Sequence, residues 1–590
     1  MAPVPVNLCI GAGPSVSDPL LLPGGSFVSA LVTHATENGR RTELRIWGVD
    51  DGSEATLDFG AGLAPGRGLS GGMHAWRADG REVLACTSDG RIVRMSLDEP
   101  GQPVSHVLGL PHGPVWSGPR YSRDGRRAAV IGDMRTLVIY DIAAAEWVVS
   151  HEADDGFLVD AAWHGGRATC HSWDRPEMAW TSSRILGLES VPGTAVQQPR
   201  NSPRFDAFGW VSDENGTANV VIDADGIVGE RTVIDDECEH GGPTWGPGQR
   251  TWCFSPDATK VAYTRNESGF GSLWVYDRLS GERTQVARAV HGCLSWEGDR
   301  ICALRTGART PDQVVVYDVA DLSSPSRVFA RHFADASWAS EHDQHLVEPV
   351  TATAGGVPYR LYEPAVPAGG LIVWVHGGPT DQWQVTWRPR FSYWLSRGWS
   401  IAVPDPRGST GHGRAFMLEL EGTWGAADAD DTAAVARDVQ ARTGIDHTRT
   451  VLMGGSAGGL AVLSAANRHD AIAACVVAAY PVVDLTLLLE SDDPFEGHYN
   501  RILVGDVTLS PNMDVRHLRD VPVLLFHGSN DMLVVPEHSF RLRDAVTAAG
   551  GSVRVEIMEG EGHGFRDPHN LRRELEVTQS FLDERTGRIR

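Results

Sequence analysis

The chain has 590 residues, 42% of them hydrophobic, so it is long enough for two or more domains that each bury their own core. Its formal net charge of -24 argues against non-specific nucleic-acid binding, which needs a basic surface. No apolar run approaches the roughly 20 residues of a membrane-spanning helix. Residues 1–25 lack a basic start followed by an apolar core. We therefore expect a cytoplasmic protein without membrane or nucleic-acid partners. The sequence is compatible with a monomer or with a homo-oligomer.

The cysteines and acidic residues indicate no metal or redox chemistry. The eight cysteines are scattered, with no Cys-x-x-Cys pair, and we expect them to be reduced thiols. The acidic run from Asp235 to His240 contains metal-ligating residue types, but no second ligand cluster pairs with it in the sequence. We expect neither a metal nor a cofactor.

The first half of the chain predicts a repeated all-β structure. Residues 1–24 are rich in Pro and Gly and predict an irregular lead-in. From 25 to 330, an aromatic residue, a polar turn, a strand, a second turn and another strand recur. The aromatic markers, about 44 residues apart on average, are Trp76, Tyr121, Trp163, Trp210, Phe254 and Trp296. Such a period is typical of a β-propeller. Strands over 27–33 and 43–47 add a seventh unit, so we predict a seven-bladed β-propeller, with an irregular β-sandwich as the alternative.

The pattern changes after a predicted linker over residues 331–345. From 346 to 590, buried apolar strands alternate with helix-length amphipathic stretches, which predicts a mainly parallel, doubly wound sheet covered on both faces. The predicted strands span 371–375, 400–403, 451–453, 475–478, 523–526 and 553–558. The predicted helices span 426–443, 457–467, 536–549 and 572–584.

One short segment in this region has the pattern of a nucleophile elbow. Residues 451–460 read as an apolar strand, then Gly454-Gly455-Ser456-Ala457-Gly458, then the start of a helix. In Gly-x-Ser-x-Gly elbows, the serine occupies a turn too tight for side chains at the flanking positions. The turn places the hydroxyl over a helix N-terminus, which favours a developing oxyanion. Ser456 is the predicted nucleophile, although a flexible glycine-rich loop has the same composition.

A base and an orienting acid follow at the ends of two later strands. Asp531 comes shortly after the strand over 523–526, and His563 follows the strand over 553–558. The order Ser456, Asp531, His563 is that of an α/β-hydrolase triad, so we predict an α/β-hydrolase domain over 346–590. Ala457 and Gly378, which follows the strand over 371–375, are the predicted oxyanion-hole donors, with a tight turn without a role as the alternative for Gly378.

Several motifs together resemble a known family. They are His376-Gly377-Gly378-Pro379, residues 405–413, Trp424-Gly425, residues 454–459, the His527 to Asp531 segment and Gly562-His563-Gly564-Phe565. With the propeller, they make the chain similar to the prolyl oligopeptidase family of serine peptidases, in the acylaminoacyl-peptidase and dipeptidyl-aminopeptidase-like branch. The resemblance implies a propeller that limits access to short or unfolded peptides. It also implies the Gly378 backbone as second oxyanion donor, because His376 stands where other branches have a tyrosine.

Substrate binding is less well marked in the sequence. Leu533 stands where acylaminoacyl peptidases often have an arginine that holds a substrate carbonyl. Family members that release dipeptides grip the free amine with paired carboxylates, and Asp235, Asp236, Glu237 and Glu239 are the densest acidic group, although a solvated loop has the same composition. Trp383 and Trp387 follow the Gly378 loop closely enough to line a pocket, or they belong to the core.

The resulting hypotheses differ in substrate and in class. The first is a serine peptidase acting on short peptides or N-acylated aminoacyl compounds. The second is a small-molecule esterase, amidase or acyltransferase with the same triad, for example acting on a peptide-like natural product, because triad chemistry does not specify the acyl acceptor. The third is a propeller interaction scaffold with a vestigial hydrolase domain, against which all three triad residues and Gly378 are present.

Overall fold

A computed structural model of the chain describes residues 2–10, 13–36, 39–65, 71–97, 104–107, 115–331 and 341–587. The chain divides into two compact units, one of residues 13–334 and the other of residues 1–12 with 335–590. None of the helices in the described ranges is long and apolar enough to cross a membrane.

The first unit is a seven-bladed β-propeller, as predicted. Its described strands form seven antiparallel sheets, each built from consecutive strands. Blade 1 comprises β1 (Ser15–Leu21), β2 (Phe27–Thr36), β3 (Gly39–Gly48) and β4 (Glu54–Leu57), and blade 2 comprises β5 (His74–Trp76), β6 (Glu82–Cys86), β7 (Ile92–Ser96) and β8 (Val104–Val107). Blade 3 comprises β9 (Trp116–Tyr121), β10 (Arg127–Gly132), β11 (Thr136–Asp141) and β12 (Glu146–Glu152). Blade 4 comprises β13 (Gly156–His164), β14 (Arg167–Asp174) and β15 (Arg184–Ile185). Blade 5 comprises β16 (Val196–Asn201), β17 (Phe208–Ser212), β18 (Asn219–Ile222) and β19 (Thr232–Val233). Blade 6 comprises β20 (Trp252–Phe254), β21 (Lys260–Glu267), β22 (Phe270–Asp277) and β23 (Arg283–Arg288). Blade 7 comprises β24 (Val290–Glu297), β25 (Arg300–Gly307), β26 (Thr310–Asp318) and β27 (Arg327–Arg331).

Packing between blades closes the ring. The outer strand β12 is mostly exposed, whereas the inner strand β6 is buried along its whole length. Blades 1 and 7 share one apolar cluster, in which Val28 and Val32 pack with Leu304 and Val316. No strand pairs blade 1 with blade 7 among the described residues, so the closure rests on side chains.

Two details of the predicted repeat are wrong. Residues 15–21 of the predicted irregular lead-in form β1, where a bulge between Ser17 and Leu20 takes up Asp18 and Pro19. Proline disfavours a regular strand, and the bulge removes that conflict. Among the aromatic markers, Trp210 lies on β17, the second strand of its blade, whereas the other five lie on first strands.

The second unit contains one eight-stranded sheet. Its strands are β28 (Val350–Ala354), β29 (Val357–Tyr362), β30 (Gly370–Val375), β31 (Trp399–Pro404), β32 (Thr450–Gly455), β33 (Cys475–Ala479), β34 (Val523–Gly528) and β35 (Val553–Met558). The spatial order is β28-β29-β31-β30-β32-β33-β34-β35. The β28–β29 and β29–β31 pairs are antiparallel, and the remaining pairs are parallel. The predicted α/β-hydrolase architecture is confirmed, although β28 and β29 were not predicted.

Helices connect these strands and cover the sheet. They are α1 (Pro389–Leu395), α2 (Arg414–Leu418), α3 (Ala427–Thr443), α4 (Ala457–Arg468), α5 (Leu485–Leu489), α6 (Glu496–Leu503), α7 (Glu537–Ala548) and α8 (Pro568–Thr586). Single 3-10 turns span Val6–Leu8, Asp343–His345, His447–Arg449, Val507–Leu509 and Leu518–Asp520. Every residue of β30, β31 and β34 is buried, which explains why their sequences are continuous apolar runs.

The linker predicted over residues 331–345 lies mostly outside the described residues, which resume at 341. Its first residue, Arg331, is the last residue of β27, and Asp343–His345 form a 3-10 turn. The division of the chain at about residue 335 differs from the predicted domain start at 346.

Candidate active site

Ser456 lies at a sharp turn between β32 and α4. Its backbone has φ 55° and ψ −123°, a conformation that is costly for a residue with a side chain. A Cβ atom at Gly454 would lie 2.2 Å from the Gly458 carbonyl oxygen, and one at Gly458 would lie 2.4 Å from the carbonyl oxygens of Val375 and His376. Only glycine fits at these two positions, so the elbow depends on both.

The predicted triad residues lie within hydrogen-bond distance of one another. The distance between Ser456 Oγ and His563 Nε2 is 2.9 Å, and that between His563 Nδ1 and Asp531 Oδ2 is 2.8 Å. An ionised carboxylate only accepts hydrogen bonds, so Nδ1 carries the proton and the neutral ring accepts the Ser456 hydroxyl proton at Nε2. This is the tautomer that general-base activation of a serine requires.

The Asp531 carboxylate is fixed by its own loop. Its side chain is 1% exposed, and Oδ1 accepts the backbone N–H groups of Leu533 (3.1 Å) and Val534 (3.0 Å). His527 supports the loop, since its Nε2 lies 2.7 Å from the Val534 carbonyl oxygen and its Nδ1 lies 2.7 Å from the Ser539 hydroxyl. Burial lowers the pKa of His527, which favours a neutral ring that donates from Nε2 and accepts at Nδ1.

Tyr480 is a neighbour of the triad that the sequence analysis missed. It follows β33 directly, and its ring centroid lies 4.8 Å from that of His563 at an interplanar angle of 62°. Its N–H donates to the Phe526 carbonyl oxygen at 2.6 Å, which ties it to the neighbouring strand. Burial, reinforced by the negative charge of Glu574, raises the pKa of Tyr480 to about 12. An aromatic residue at the end of a buried strand was the available signal.

The two predicted oxyanion donors lie near the elbow. Ala457 is the first residue of α4, where backbone N–H groups have no intrahelical acceptor. The loop after β30 reaches Ser456 through Gly377, because a Cβ atom there would lie 3.5 Å from Ser456 Cβ. Gly378 follows with φ 129°, a conformation that glycine tolerates.

This loop is fastened to the segment that follows β31. His376 Nε2 lies 2.9 Å from the Ser409 hydroxyl, and the Thr410 N–H donates to the Asp381 carbonyl oxygen at 3.1 Å. The Thr380 hydroxyl also forms a hydrogen bond with the hydroxyl of Tyr499 on α6. The loop is therefore held from two sides.

The buried Asp405 carboxylate is the hub of that segment. Arg360 donates to both of its oxygens, at 2.7 and 2.5 Å, and Gln382 Nε2 donates to Oδ2 at 2.7 Å. His412 Nε2 lies 2.8 Å from Oδ2. Burial alone would raise the pKa of Asp405, but the Arg360 charge and the His412 contact outweigh it and hold that pKa well below its usual range. The Asp405 to Gly413 motif therefore supports the Gly378 loop.

The tryptophans predicted to bind substrate lie in an aromatic group. Trp383 is half-buried, with ring centroids 5.8 Å from Trp374 and 6.0 Å from Phe391, and the Arg388 guanidinium lies 4.4 Å from its ring centroid. Trp387 is 7% exposed and therefore belongs to the core. Of the two, only Trp383 has appreciable surface for a substrate.

The predicted acidic group lies in the propeller, between β19 and β20. Asp236 pairs with Arg265 at 3.0 Å, and its pKa is lowered because this charge and the His240 contact outweigh burial, which acts to raise it. Asp235 and Glu237 are exposed, whereas Glu239 is buried. Asp236 is thus already paired within the propeller. Within the described ranges, no three His, Cys, Asp or Glu side chains are placed to hold a metal ion.

A serine at a strand-to-helix elbow, linked through a histidine to a buried aspartate, defines the site of an α/β-hydrolase. Residues 383–588 match the prolyl oligopeptidase family.

Comparison with individual proteins gives relatives of two kinds. Dipeptidyl aminopeptidase BIII of Pseudoxanthomonas mexicana is 28% identical over 236 residues, which are 37% of this chain and 33% of that protein. The acylamino-acid-releasing enzyme of Homo sapiens is 23% identical over 344 residues, 53% of this chain and 47% of that protein. The chain thus spans between a third and about half of these curated relatives. A crystal structure of puromycin hydrolase superposes with a TM-score of 0.83 at 25% identity, covering 100% of this chain and 97% of that one.

Proposed function

We propose that this protein is a serine peptidase that hydrolyses short peptides or N-acylated aminoacyl substrates through an acyl-enzyme on Ser456. The observation that carries the proposal is the hydrogen-bond series from Ser456 through His563 to Asp531, with heavy-atom distances of 2.9 and 2.8 Å. The match of residues 383–588 to the prolyl oligopeptidase family and the relatives named for peptide and acylamino-acid cleavage support it.

The mechanism follows from the positions of these groups. His563 Nε2 takes the hydroxyl proton as Ser456 Oγ attacks the substrate carbonyl, and Asp531 stabilises the imidazolium that forms. The N–H groups of Ala457 and Gly378 donate to the oxyanion of the tetrahedral intermediate. The imidazolium then protonates the leaving amine, and the C–N bond breaks to give the acyl-enzyme. Water attacks the ester by the same route, with His563 again as base, and Ser456 is released.

A second candidate function uses the same acyl-enzyme chemistry on a different substrate. An amidase, esterase or acyltransferase for one small molecule is favoured by the similarity over the whole chain to a protein named puromycin hydrolase. The lack of a cation at Leu533 also favours it, because a guanidinium there would hold a peptide carbonyl.

The two functions are separated by comparing kcat/KM for three substrates. One is an N-acetylated aminoacyl anilide, one is a dipeptidyl anilide with a free amine and the same residue at the cleaved bond, and one is puromycin. The peptidase proposal predicts that at least one anilide is cleaved faster than puromycin. Turnover of puromycin alone would contradict it and favour the small-molecule function. The Ser456→Ala variant measures the background for each substrate.

We also propose a cytoplasmic location. All eight cysteines are free thiols, and most are buried, which suits a reducing compartment. Fractionation of cells producing the native chain tests this, and recovery of the protein outside the cytoplasmic fraction would contradict it.

A further inference from the structure

The first strands of the blades share a backbone feature that the sequence does not reveal. At or just before each first strand, one residue has a left-handed φ between 51° and 89°. These seven residues, here called the axial ring, are Asp18, Gly72, Gly118, Asp160, Gln198, Gly248 and Cys293. In five blades the residue coincides with a bulge or register shift in the first strand. The backbone of each blade therefore changes direction at an equivalent position, at or just before its first strand.

At this level, backbones of blades that are not neighbours meet. The Gly71 N–H of blade 2 donates to the Gly248 carbonyl oxygen of blade 6 at 3.0 Å. The Gly118 N–H of blade 3 donates to the Gly72 carbonyl oxygen at 2.8 Å. A Cβ atom at Gly248 would lie 1.8 Å from the Gly71 carbonyl oxygen, so no side chain fits there. Because blades 2 and 6 lie on different sides of the ring, the contact between Gly71 and Gly248 crosses the propeller axis at the level of the axial ring.

Basic side chains stand two residues after several axial-ring positions. Arg250 donates to Asp18 Oδ1 at 2.6 Å, and His74 Nδ1 lies 3.1 Å from Asp18 Oδ2. Arg120 and Arg200 occupy the equivalent positions in blades 3 and 5. Three guanidinium groups, those of Arg120, Arg200 and Arg250, therefore lie near the propeller axis. Asp18 forms an ion pair with one of them, Arg250.

The other carboxylate of the axial ring, Asp160, attracts Arg120 and Arg200 but forms no ion pair with either among the described residues. Asp160 Oδ1 accepts the Gly248 N–H at 2.6 Å, while Oδ2 is buried without a hydrogen-bond partner in the described part of the chain. Among the described residues, the side chains of Arg120 and Arg200 have no ion pair within 4.0 Å. The one hydrogen bond of the Arg120 side chain to a described residue is to the Pro119 carbonyl oxygen at 2.9 Å. Three positive charges thus face two negative ones.

Arg200 is the most poorly satisfied of the three. It is 9% exposed, one of its nitrogens donates to the Gln249 carbonyl oxygen, and its Nε and Nη1 have no partner within the described ranges. Burial and repulsion from Arg120 lower the pKa of Arg200 to about 9. A buried guanidinium with unmet N–H groups is costly, and two oxygens of one oxyanion would accept two of these N–H groups at once.

We propose that Arg120 and Arg200 form a binding site for a small oxyanion, a phosphate or a carboxylate, at the propeller axis. Bound water would satisfy N–H groups but would not offset the excess positive charge, whereas an oxyanion does both. Asp160 limits the affinity, because its unpartnered oxygen repels an anion placed beside Arg200. The site is built from propeller residues alone, so its test needs no activity measurement.

The test titrates inorganic phosphate into the purified full chain at constant ionic strength and follows thermal unfolding. We expect a saturable rise in the Tm of the propeller transition of about 2 °C or more. Arg200→Gln and Arg120→Gln should lose this rise. Arg204→Gln, an exposed position of the same blade that pairs with Glu297 at 3.4 Å, should keep it.

A gain-of-affinity variant guards against misfolding of the arginine variants. Asp160→Asn keeps an oxygen to accept the Gly248 N–H and removes the opposing charge, so it should bind phosphate several-fold more tightly.

Parallel titrations with N-acetylglycine and its uncharged amide distinguish the two possible sources of the oxyanion. Tighter binding of N-acetylglycine indicates a peptide carboxylate, and tighter binding of phosphate indicates a free inorganic anion. An equal Tm rise in wild type and Arg200→Gln, no saturable rise with either oxyanion, or no gain in Asp160→Asn would overturn the proposal.

Discussion

The ring of Tyr480 lies edge-on against the imidazole of His563, with ring centroids 4.8 Å apart and planes inclined at 62°. The same ring meets Phe565 at 5.2 Å and 88°. His563 is therefore held by two contacts of different kind, the Asp531 hydrogen bond at Nδ1 and the Tyr480 edge. We infer from this contact that Tyr480 positions His563, the proposed base.

Replacing Tyr480 tests that positioning. Tyr480→Phe keeps the ring and should leave kcat/KM near the wild-type value. Tyr480→Ala removes an aromatic pair worth roughly 0.5–1.5 kcal/mol, so kcat/KM should fall roughly 2- to 12-fold, mainly in kcat. The pH profile of kcat/KM should also shift in the Ala variant, because the base is less well fixed. Equal kinetics and equal pH profiles for the two variants would mean that the ring has no part in placing His563.

Asp531→Asn should disable the base without unfolding the loop. The Asn side-chain oxygen still accepts the N–H groups of Leu533 and Val534, but its NH₂ group faces Nδ1 and favours the tautomer with the proton on Nε2. The hydroxyl of Ser456 then has no acceptor, and we expect a fall in kcat of ~10⁴-fold, the size of this effect in Ser-His-Asp triads. Kinetics with an anilide substrate measure it, with the exposed Asp520→Asn as matched control. A fall of less than about tenfold would argue against Asp531 as the orienting acid.

Tyr499→Phe tests the support of the Gly378 loop. The hydrogen bond between the Tyr499 and Thr380 hydroxyl groups is lost. A net hydrogen bond of about 0.5–1.5 kcal/mol corresponds to a roughly 2- to 12-fold loss of transition-state stabilisation. Because Gly378 of this loop is a proposed oxyanion donor, the loss should appear in kcat with KM little changed. Tyr393→Phe is the matched control, since that buried hydroxyl bonds Gln579 on α8. The same kcat loss in both variants would indicate a general effect on stability.

The structure also predicts a pH dependence of stability from Asp428, which lies at the start of α3. Its side chain is 3% exposed and accepts the Gly425 N–H at 2.7 Å, and burial raises its pKa from 3.8 to about 7. Between about pH 4 and 7 the folded state holds a proton that the unfolded state has released. The free energy of unfolding should therefore fall as pH rises through this window, by at most ~1.4 kcal/mol per unit, and level off above it.

Asp428→Asn isolates that contribution, because its side-chain oxygen can still accept the Gly425 N–H and it does not titrate. Relative to wild type, the variant should gain stability as pH rises from about 4 to 7 and keep the gain at pH 8. Urea unfolding at several pH values measures the difference, with the exposed Asp470→Asn as control. A difference between variant and wild type that does not change with pH would contradict the assignment.

The elbow and the triad could be predicted because each depends on a short sequence pattern. Parallel strands end at one edge of a sheet, so residues after β32, β34 and β35 come together whatever the details of the helices. The β28–β29 hairpin was missed although Gly355-Gly356 between two apolar segments is a hairpin signal. Tyr480 was missed because an aromatic residue after a strand has no fixed partner in sequence.

The propeller was predicted from its period, and its axis was not. The period could be recognised although one marker, Trp210, lies on the second strand of its blade, because the mean spacing was taken over six markers. The meeting of Gly71, Gly118 and Gly248 joins residues from three blades far apart in the chain, and the axial-ring residue types differ from blade to blade. No local pattern could have predicted which of the arginines have no carboxylate within ion-pair distance in the described part of the propeller.

The central claim, an acyl-enzyme on Ser456, is tested most directly by mass spectrometry of the folded protein after reaction with a fluorophosphonate probe. We predict one adduct per chain, on the peptide containing Ser456, with loss of turnover in proportion to labelling. Ser456→Ala should give neither adduct nor turnover, and the exposed Ser552→Ala should behave as wild type. Turnover that persists in Ser456→Ala, or an adduct on another residue, would contradict the account.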